Sequence, residues 1–283
     1  MSTFTNRATL GYNGGSVQSN VVTREITDAL TIAKTALANS YGSDPVTYVV
    51  GIVNESAGAY TGLVLTDDLG SYEAGGQTVY PFAYVDGTIG YFVNGAAQPA
   101  PAVDTSAGLT VSGLSVPAGG NAVIVYSVVA TEYAPRGAGQ GVTNTAVLSG
   151  GGRSFPMSAS ATLTASETTD LSIFKSVSPN VVTGGGTLTY TFLVQNNGTV
   201  AAGADYGVFI SDLFDPVLQS VSVTLDGAPL SSPADYAYDE QTGQFSTVAG
   251  VITVPAATVE VDPVTGVYTV TPGSATLTVE GSI

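Results

Sequence analysis

Short runs of alternating apolar and polar residues recur along the whole chain. They are rich in Val, Thr, Tyr and Ile, the residues that strands favour. Dipeptides typical of tight turns separate the runs, at Asn13-Gly14, Asp86-Gly87, Asn94-Gly95, Asn197-Gly198 and Asp226-Gly227. This pattern predicts an all-β protein built from antiparallel hairpins. Residues 25–37 are rich in Ala and Leu, but their apolar positions repeat with a period of two, so we predict a strand there as well.

The chain contains one module twice. Leu30-Thr31-Ile32-Ala33-Lys34 matches Leu171-Ser172-Ile173-Phe174-Lys175, and each run precedes a Thr-Tyr strand that ends in Asn, at Asn54 and Asn196. Further matches follow, namely Leu65-Thr66-Asp67 with Ile210-Ser211-Asp212, and residues 116–125 with residues 270–279. An internal repeat of this kind predicts two similar folded units. We expect two tandem β-sandwiches, at residues 25–166 and 167–283.

The two modules are expected to end differently. The first continues to a further strand at residues 141–148, whereas the second stops at Ile283 before that strand. The Thr-Asn-x-Ala-x-Leu pattern of this strand occurs once more, at residues 5–10. The spacing agrees, because Asn144 precedes the next lysine by 31 residues and Asn6 precedes its next lysine by 28. We therefore predict that residues 1–24 are a donor strand and linker for the second module of a neighbouring copy.

The residues of the predicted donor strand that would face the neighbour share one side of the strand, namely Phe4, Asn6, Ala8 and Leu10. Donation would cover an open sheet edge and apolar core, both of which are costly to expose. A head-to-tail contact that does not close on itself builds a filament. Three alternatives stay open: residues 1–24 form a loose tail, they fold back onto their own second module, or a few copies close a ring.

The only lysines of the chain, Lys34 and Lys175, occupy equivalent positions. Each shares its side of the strand with apolar residues, so we expect both side chains to point into a sandwich. Burial disfavours the charged forms of Lys and Asp alike. Asp67 and Asp212 are the predicted acids, because they alternate with apolar residues in the same way.

Asn144 and Asn6 are the predicted partners of the two lysines, again from strand alternation. A neutral amine held against a carboxamide, with a protonated Asp polarising the carbonyl, can form an amide bond and release ammonia. The candidate chemistry is therefore an autocatalytic isopeptide bond. Asn54 and Asn196 are rival acceptors, although they lie beside turns, where Asn usually bonds to the backbone. The alternative without a covalent bond is an ordinary Lys-Asp ion pair.

This order of motifs (Leu-x-Ile-x-Lys, a Thr-Tyr strand ending in Asn, the Asp strand and a Thr-Asn-x-Ala strand) resembles the bacterial surface-repeat family called domain of unknown function eleven. That family has immunoglobulin-like modules, and the likeness covers nearly the whole chain twice. The Lys, Asp and Asn arrangement is similar to that of isopeptide-bonded pilins and adhesins of Gram-positive bacteria. The resemblance implies two immunoglobulin-like sandwiches, with Lys34 bonded to Asn144 and Lys175 bonded to Asn6 of a neighbour.

Composition narrows the remaining functions. The 283 residues include no His and no Cys, which excludes Ser-His-Asp and Cys-His nucleophiles, thiolate zinc sites and disulfides. The net charge of -16 disfavours nucleic acid and anionic membranes as partners. No apolar run could span a membrane, and residues 1–7 lack the features of a Sec-type signal. We expect no cofactor, no metal and no enzymatic turnover, with the acidic clusters as solvated turns.

Together these features favour a structural subunit of a bacterial surface filament, similar to a pilus or a spore appendage. Its expected partner is a further copy of itself, and its expected location is the cell or spore surface, reached without a Sec-type signal peptide. One alternative is a monomeric surface adhesin or carbohydrate-binding module, which would stay monomeric and bind a glycan or a host protein. A hydrolase that uses Asp and Glu is the other alternative.

Overall fold

The computed structural model describes residues 2–26, 30–152 and 156–283, and for residues 2–4 and 24–26 it describes the backbone alone. Regular structure in these ranges is β, apart from one 3-10 turn at Ala204–Tyr206. The all-β prediction is therefore confirmed. The stretch in which a helix was the alternative forms strands on both sides of residues 27–29, which lie outside the described residues.

The N-terminal segment is a long hairpin. Its four strands are β1 (Ser2–Asn6), β2 (Thr9–Tyr12), β3 (Gly15–Gln18) and β4 (Val22–Ile26). β1 pairs with β4 and β2 pairs with β3, with the turn at Asn13-Gly14. All described side chains of this hairpin are exposed, and none of its strands pairs with a strand of either module. The residues expected to link the donor strand to the first module therefore include two further strands.

The first module has two six-stranded sheets. Its strands are β5 (Leu30–Ala36), β6 (Ser40–Tyr41), β7 (Val46–Asn54), β8 (Tyr60–Asp67), β9 (Tyr72–Ala74), β10 (Gln77–Val79), β11 (Phe82–Tyr84), β12 (Gly90–Val93), β13 (Ala96–Ala97), β14 (Ala102–Asp104), β15 (Leu109–Val116), β16 (Asn121–Ala130), β17 (Gly141–Gly150) and β18 (Met157–Ala165). One sheet has the order β13-β12-β16-β7-β5, with β11 also paired to β16, and the other has the order β14-β15-β8-β17-β18-β6. Alternate side chains of both sheets, such as Tyr48, Ile124, Leu65 and Leu148, meet in one buried cluster.

The second module has one large sheet and smaller ones. Its strands are β19 (Leu171–Ser178), β20 (Thr187–Asn196), β21 (Ser211–Leu213), β22 (Gln219–Leu225), β23 (Ala228–Pro229), β24 (Tyr236–Tyr238), β25 (Gln244–Thr247), β26 (Thr258–Val261), β27 (Tyr268–Thr271) and β28 (Gly273–Ser282). The large sheet has the order β19-β20-β28-β22-β23, and β21-β25-β24 form a short second sheet. A separate buried cluster, which includes Phe192, Phe214 and Phe245, lies within this module.

Strand register shows how the two modules correspond. Lys34 lies opposite Val50, and Lys175 lies opposite Phe192 on the equivalent strand. The predicted match of residues 116–125 with residues 270–279 is wrong by one residue. The inward side chains Ala122, Ile124 and Tyr126 take the places of Ala275, Leu277 and Val279. In a strand a slip of one residue moves every side chain to the other face, so only this register is compatible with both cores.

The modules differ at one sheet edge. In the first module β8 lies between β15 and β17, and β17 is followed in the sheet by β18. The equivalent strand of the second module, β21, pairs with β25 alone within the part of the chain that the structure describes. Large apolar side chains are exposed beside this unpaired edge, among them Phe209 and Leu213.

Three of the five predicted turn signals close hairpins, at Asn13-Gly14, Asn94-Gly95 and Asp226-Gly227. The other two do not, although both are turns or bends. Asp86-Gly87 connects β11 to β12, and these strands both pair with β16 instead of with each other. Asn197-Gly198 leads from β20 to the segment that bridges Ala202 to Val254. At Asp86-Gly87 the chain does not reverse, because β11 and β12 both run antiparallel to β16, so a turn signal does not by itself predict a hairpin.

Candidate isopeptide and strand-acceptor sites

Lys34 and Asp67 form a buried pair in the core of the first module. The distance from Lys34 Nζ to Asp67 Oδ2 is 2.6 Å, and both side chains are 0% exposed. The Tyr126 hydroxyl donates to the same carboxylate oxygen. Lys34 Nζ also lies over the Tyr48 ring, 4.6 Å from the ring centroid. The inward direction predicted for Lys34 and Asp67 is the one observed.

The surroundings favour an uncharged lysine. Burial lowers the pKa of Lys34, and the attraction of the Asp67 carboxylate opposes this effect only in part. Burial also raises the pKa of the Tyr126 phenol, so this group keeps its proton and remains a donor to Asp67. The Asp67 carboxyl group thus contacts both a proton donor, the Tyr126 hydroxyl, and an amine of lowered pKa, Lys34. These are the conditions under which an amine acts as a nucleophile.

Asn144 completes the cluster. It lies on β17, which pairs with β8 so that Ala146 is opposite Asp67. The Asn144 side chain is fully buried, and neither its Nδ2 nor its Oδ1 has a hydrogen-bond partner. The Asn144 carboxamide is close enough to Tyr48 to act on its hydroxyl group: burial raises the pKa of Tyr48, and Asn144 lowers it by a smaller amount.

A buried carboxamide without partners is expensive. Each unsatisfied buried polar group costs roughly 1–3 kcal/mol, and native cores contain few of them. The Tyr48 hydroxyl is also without a partner. Lys34 lies over the ring of Tyr48, and Asn144 lies beside its hydroxyl, so the amine and the carboxamide border the same buried tyrosine. An amide bond between Lys34 and Asn144 would replace the unpaired Nδ2 group and the buried amine with a single amide N–H.

The second module repeats the cluster in an open form. Lys175 donates to the Asp212 carboxylate, and its Nζ lies 4.8 Å from the centroid of the Tyr190 ring. The prediction that this lysine is buried is wrong for the single chain, because the Lys175 and Asp212 side chains are 41% and 18% exposed. The strand that covers the equivalent pair in the first module has no counterpart beside β21 among the described residues.

The predicted donor residues lie away from Lys175 in the single chain. Asn6 is exposed and opposite Val22, and Leu10 is 66% exposed and opposite Val17. The Ala8 amide donates to Ser19 Oγ at 3.0 Å, within the same hairpin. Phe4 is described only by its backbone, which pairs with Arg24. The alternative in which this segment adds a strand to its own second module is therefore not the arrangement observed.

The side chains of the rival acceptors Asn54 and Asn196 form hydrogen bonds to the backbone. Asn54 Nδ2 donates to the carbonyl oxygens of Gly58 and Pro117, both at 2.8 Å. Asn196 Nδ2 donates to Val200 at 2.8 Å and to Pro255 at 3.0 Å. Both carboxamides are buried and fully engaged, so they are not free to react with a lysine.

Replacing Asn54 with Ala is expected to reduce the free energy of unfolding of the first module by about 3 kcal/mol, because several buried carbonyl groups lose their donor. Ser56→Ala is the matched control, since Ser56 Oγ makes one of the bonds to Asn54 Oδ1 but is itself partly exposed. It is expected to cost below about 1 kcal/mol. Chemical denaturation of both variants measures the difference. Equal losses of unfolding free energy would contradict a stabilising role of the Asn54 hydrogen bonds to the backbone.

Tyr48 and Tyr126 are the site residues that sequence reasoning missed. Both lie on the inward side of their strands and face each other across β7 and β16. In the sequence both are tyrosines at strand positions that alternation predicts to point inward. The one-residue error in the repeat match hid the position of Tyr126. The correct register places Val279 there in the second module. The second cluster therefore has no phenol equivalent to Tyr126.

The acidic turns behave as predicted for solvated loops. Asp239 accepts a bond from the Gln241 amide and Asp262 from the Val264 amide, both at 2.8 Å, and these bonds lower the pKa of each carboxyl group. Among the residues that the structure describes, no three potential metal-ligating side chains form a cluster. The same part of the chain contains no helix long and apolar enough to cross a membrane.

Comparison with known proteins gives matches at the level of structure only. No family model matches the chain, and no curated protein matches it, so the likeness to the surface-repeat family stays a resemblance. The chain is similar to the major pilin subunit BcpA of Bacillus cereus, with 12% identity and a TM-score of 0.35 over 96% of this chain and 73% of that chain. A C-terminal fragment of the major pilin GBS80 of Streptococcus agalactiae matches with 12% identity and a TM-score of 0.33, over 87% of this chain and 91% of that chain.

Enzymes give matches of similar quality. An exo-β-N-acetylglucosaminidase of Vibrio harveyi matches with 12% identity and a TM-score of 0.27, over 51% of this chain and 20% of that chain. TM-scores this low do not establish a shared fold, and they cannot decide between a pilin and an enzyme. The functional conclusion therefore depends on the two Lys-Asp clusters and on the unpaired edge.

Proposed function

We propose that this protein is a structural subunit of a bacterial surface filament, similar to a pilus or a spore appendage, that polymerises head to tail. The N-terminal segment of one copy completes the second module of the next. One observation carries the proposal: the same Lys-Asp cluster is sealed by an Asn-bearing strand in the first module and open in the second. The other strand with the same Asn pattern is fully exposed at residues 5–10.

Docking of the donor is favourable for two physical reasons. It pairs the free backbone groups of β21, and it covers apolar side chains that the single chain leaves in water. Ile173 and Val177, on the face of β19 that carries Lys175, are among these side chains. Full burial of one such side chain contributes roughly 1.5–3 kcal/mol. Three or four of them would contribute roughly 5–12 kcal/mol, which is comparable to the loss of freedom on association.

Each seam is locked by an isopeptide bond. The neutral Lys Nζ attacks the Asn Cγ, a new carbon-nitrogen bond forms, the bond from Cγ to Nδ2 breaks, and Nδ2 leaves as ammonia with the one proton that the amine loses. Each Asp first takes the extra proton of its Lys ammonium, then donates a hydrogen bond from the resulting carboxyl group to the carbonyl oxygen during the attack, and relays to Nδ2 the one proton that the amine loses. Lys34 bonds to Asn144 within the first module, and Lys175 bonds to Asn6 of the neighbouring copy.

Turnover catalysis is not part of this proposal. Asp67 and Asp212 are held by lysines in separate modules, so they do not form the carboxylate pair of a glycosidase. Assembly of the purified wild-type chain tests the proposal directly, by electron microscopy and sedimentation. Filaments support it. Protein that stays monomeric at high concentration and binds a glycan or a host protein would instead support the adhesin alternative.

The internal bond has a clear mass signature. Purified monomer is expected to be lighter than its sequence mass by one ammonia, and Asn144→Ala is expected to remove this deficit. Loss of a cross-link that closes a loop of roughly 110 residues should also cost about 4 kcal/mol, as for a comparable disulfide. Asn54→Ala is the matched control, because it removes the rival acceptor and should leave the deficit unchanged. Intact mass spectrometry distinguishes these outcomes, and a deficit that survives Asn144→Ala would contradict the assignment.

The pH dependence of this reaction follows from Lys34. Its ordinary pKa is 10.5 and burial lowers it, so the neutral amine becomes abundant at a lower pH than for an exposed lysine. Bond formation after refolding should therefore accelerate as the pH rises and level off below pH 10.5. Time courses of the mass deficit at several pH values measure this. A rate that climbs steadily to that pH would indicate an ordinary solvated amine.

A further inference from the structure

We propose that the donated element is the whole hairpin of residues 2–26 and not a single strand. The inference rests on the proposed function and deepens it, because it names the part of the partner that fills the open edge. We call residues 2–12 the first arm and residues 15–26 the second arm. The first arm carries Asn6. The second arm covers a surface that no single strand beside β21 could reach.

The two arms correspond to β17 and β18 of the first module. In that module Asn144 lies opposite Ala161, and Leu148 lies opposite Met157. In the N-terminal hairpin Asn6 lies opposite Val22, and Leu10 lies opposite Val17. Each hairpin also runs on within a few residues to a strand that carries a lysine, β19 in one case and β5 in the other. The N-terminal segment therefore repeats a complete hairpin.

The second arm has a specific surface to cover. In the first module β17 pairs with β8, whereas β18 is the strand packed along β5. There Lys34 is buried and Ile32 is half-buried. On the equivalent strand β19, Ile173 is 54% exposed and Val177 is 39% exposed. A single strand beside β21 would leave this face in water, and a complete hairpin would cover it as β18 covers β5.

Charge supports a second copy as the occupant. Residues 2–26 contain two arginines and one glutamate, a net charge of +1 in a chain whose total is -16. Residues 167–283 contain twelve acidic side chains and one lysine, a net charge of -11. The hairpin is thus the basic segment of the chain, and the module with the open edge is acidic. Their attraction favours encounter between copies at low salt.

The test compares two neighbouring positions of the second arm in the full-length chain. Val22 lies opposite Asn6, so both point to the face that docks, whereas Thr23 lies opposite Thr5 on the other face. Val22→Asp buries a carboxylate on docking, and Thr23→Asp places the same charge in water. We expect Val22→Asp to raise the critical concentration for assembly at least about tenfold relative to Thr23→Asp, measured by sedimentation.

Each outcome decides between the alternatives. Both substituted positions are exposed in the monomer. Thermal unfolding of the two modules in each variant should therefore match the wild type, which would exclude a folding defect. If Val22→Asp assembles as well as Thr23→Asp while a substitution in the first arm prevents assembly, donation is by one strand and the hairpin proposal is wrong. Equal defects in both variants also contradict it. If the wild type does not assemble at all, the proposed function fails and this inference fails with it.

Discussion

Replacing Leu10 with Asp is expected to abolish filament formation. The residue that occupies the equivalent place in the first module, Leu148, is fully buried opposite Leu65 of β8. Leu10 itself is exposed in the single chain, so the substitution leaves the monomer intact. On docking it loses the burial of a leucine and adds the burial of a carboxylate, at a combined cost of roughly 4 kcal/mol or more. That corresponds to about a thousandfold weaker association.

Sedimentation and electron microscopy at a range of protein concentrations measure this effect. Thr9→Asp is the matched control, because Thr9 is the next residue and lies on the opposite face of the same arm. It is expected to assemble nearly as well as the wild type. Filaments of Leu10→Asp at the wild-type critical concentration would show that this strand does not enter a buried core. The loose-tail alternative would then be favoured.

Strand alternation was sufficient to predict which way the three side chains of the first cluster point. Lys34, Asp67 and Asn144 lie on different strands, yet each inward direction followed from a period of two and from apolar neighbours of the same parity. The sandwich does the rest, because inward residues of facing strands share one core. Contact distances do not follow from parity, and neither does the absence of hydrogen bonds to Asn144. Those depend on the packing of Tyr48 and Tyr126, which only the structure reveals.

The errors have equally physical causes. The late repeat match was wrong by one residue, because Gly and Pro at the start of β28 allow two alignments that differ in which face is buried. The prediction that Lys175 is buried assumed a complete module, and burial there depends on a strand from elsewhere. The sequence predicts a linker at the second arm, because the polar residues of this arm hide its strand pairing with the first arm. A turn signal at Asn13-Gly14 was visible, but it does not say how far the pairing extends.

Under the proposed function, the second cluster is the reaction site before its core closes and the first cluster is the same site after closure. A lysine in a dry core has a lowered pKa and can attack, whereas water around an exposed lysine stabilises the charged, unreactive form. Lys34 is fully buried, and Lys175 is 41% exposed. Docking of the donor would bury Lys175 in the way that Lys34 is buried. Covalent closure between copies should therefore follow assembly and not precede it.

Replacing Lys175 with Ala is expected to leave filaments that form but fall apart. Donor docking depends on apolar burial and backbone pairing, which this substitution preserves, so filaments should still be visible by electron microscopy. Boiling in detergent should then release only monomers, whereas wild-type filaments should give a ladder of covalent oligomers. Lys34→Ala is the matched control, because it removes the other lysine and should leave the ladder in place. A ladder that persists in Lys175→Ala would mean that the copies are joined by a different bond, and the absence of filaments would mean that the lysine contributes to docking as well as to the cross-link.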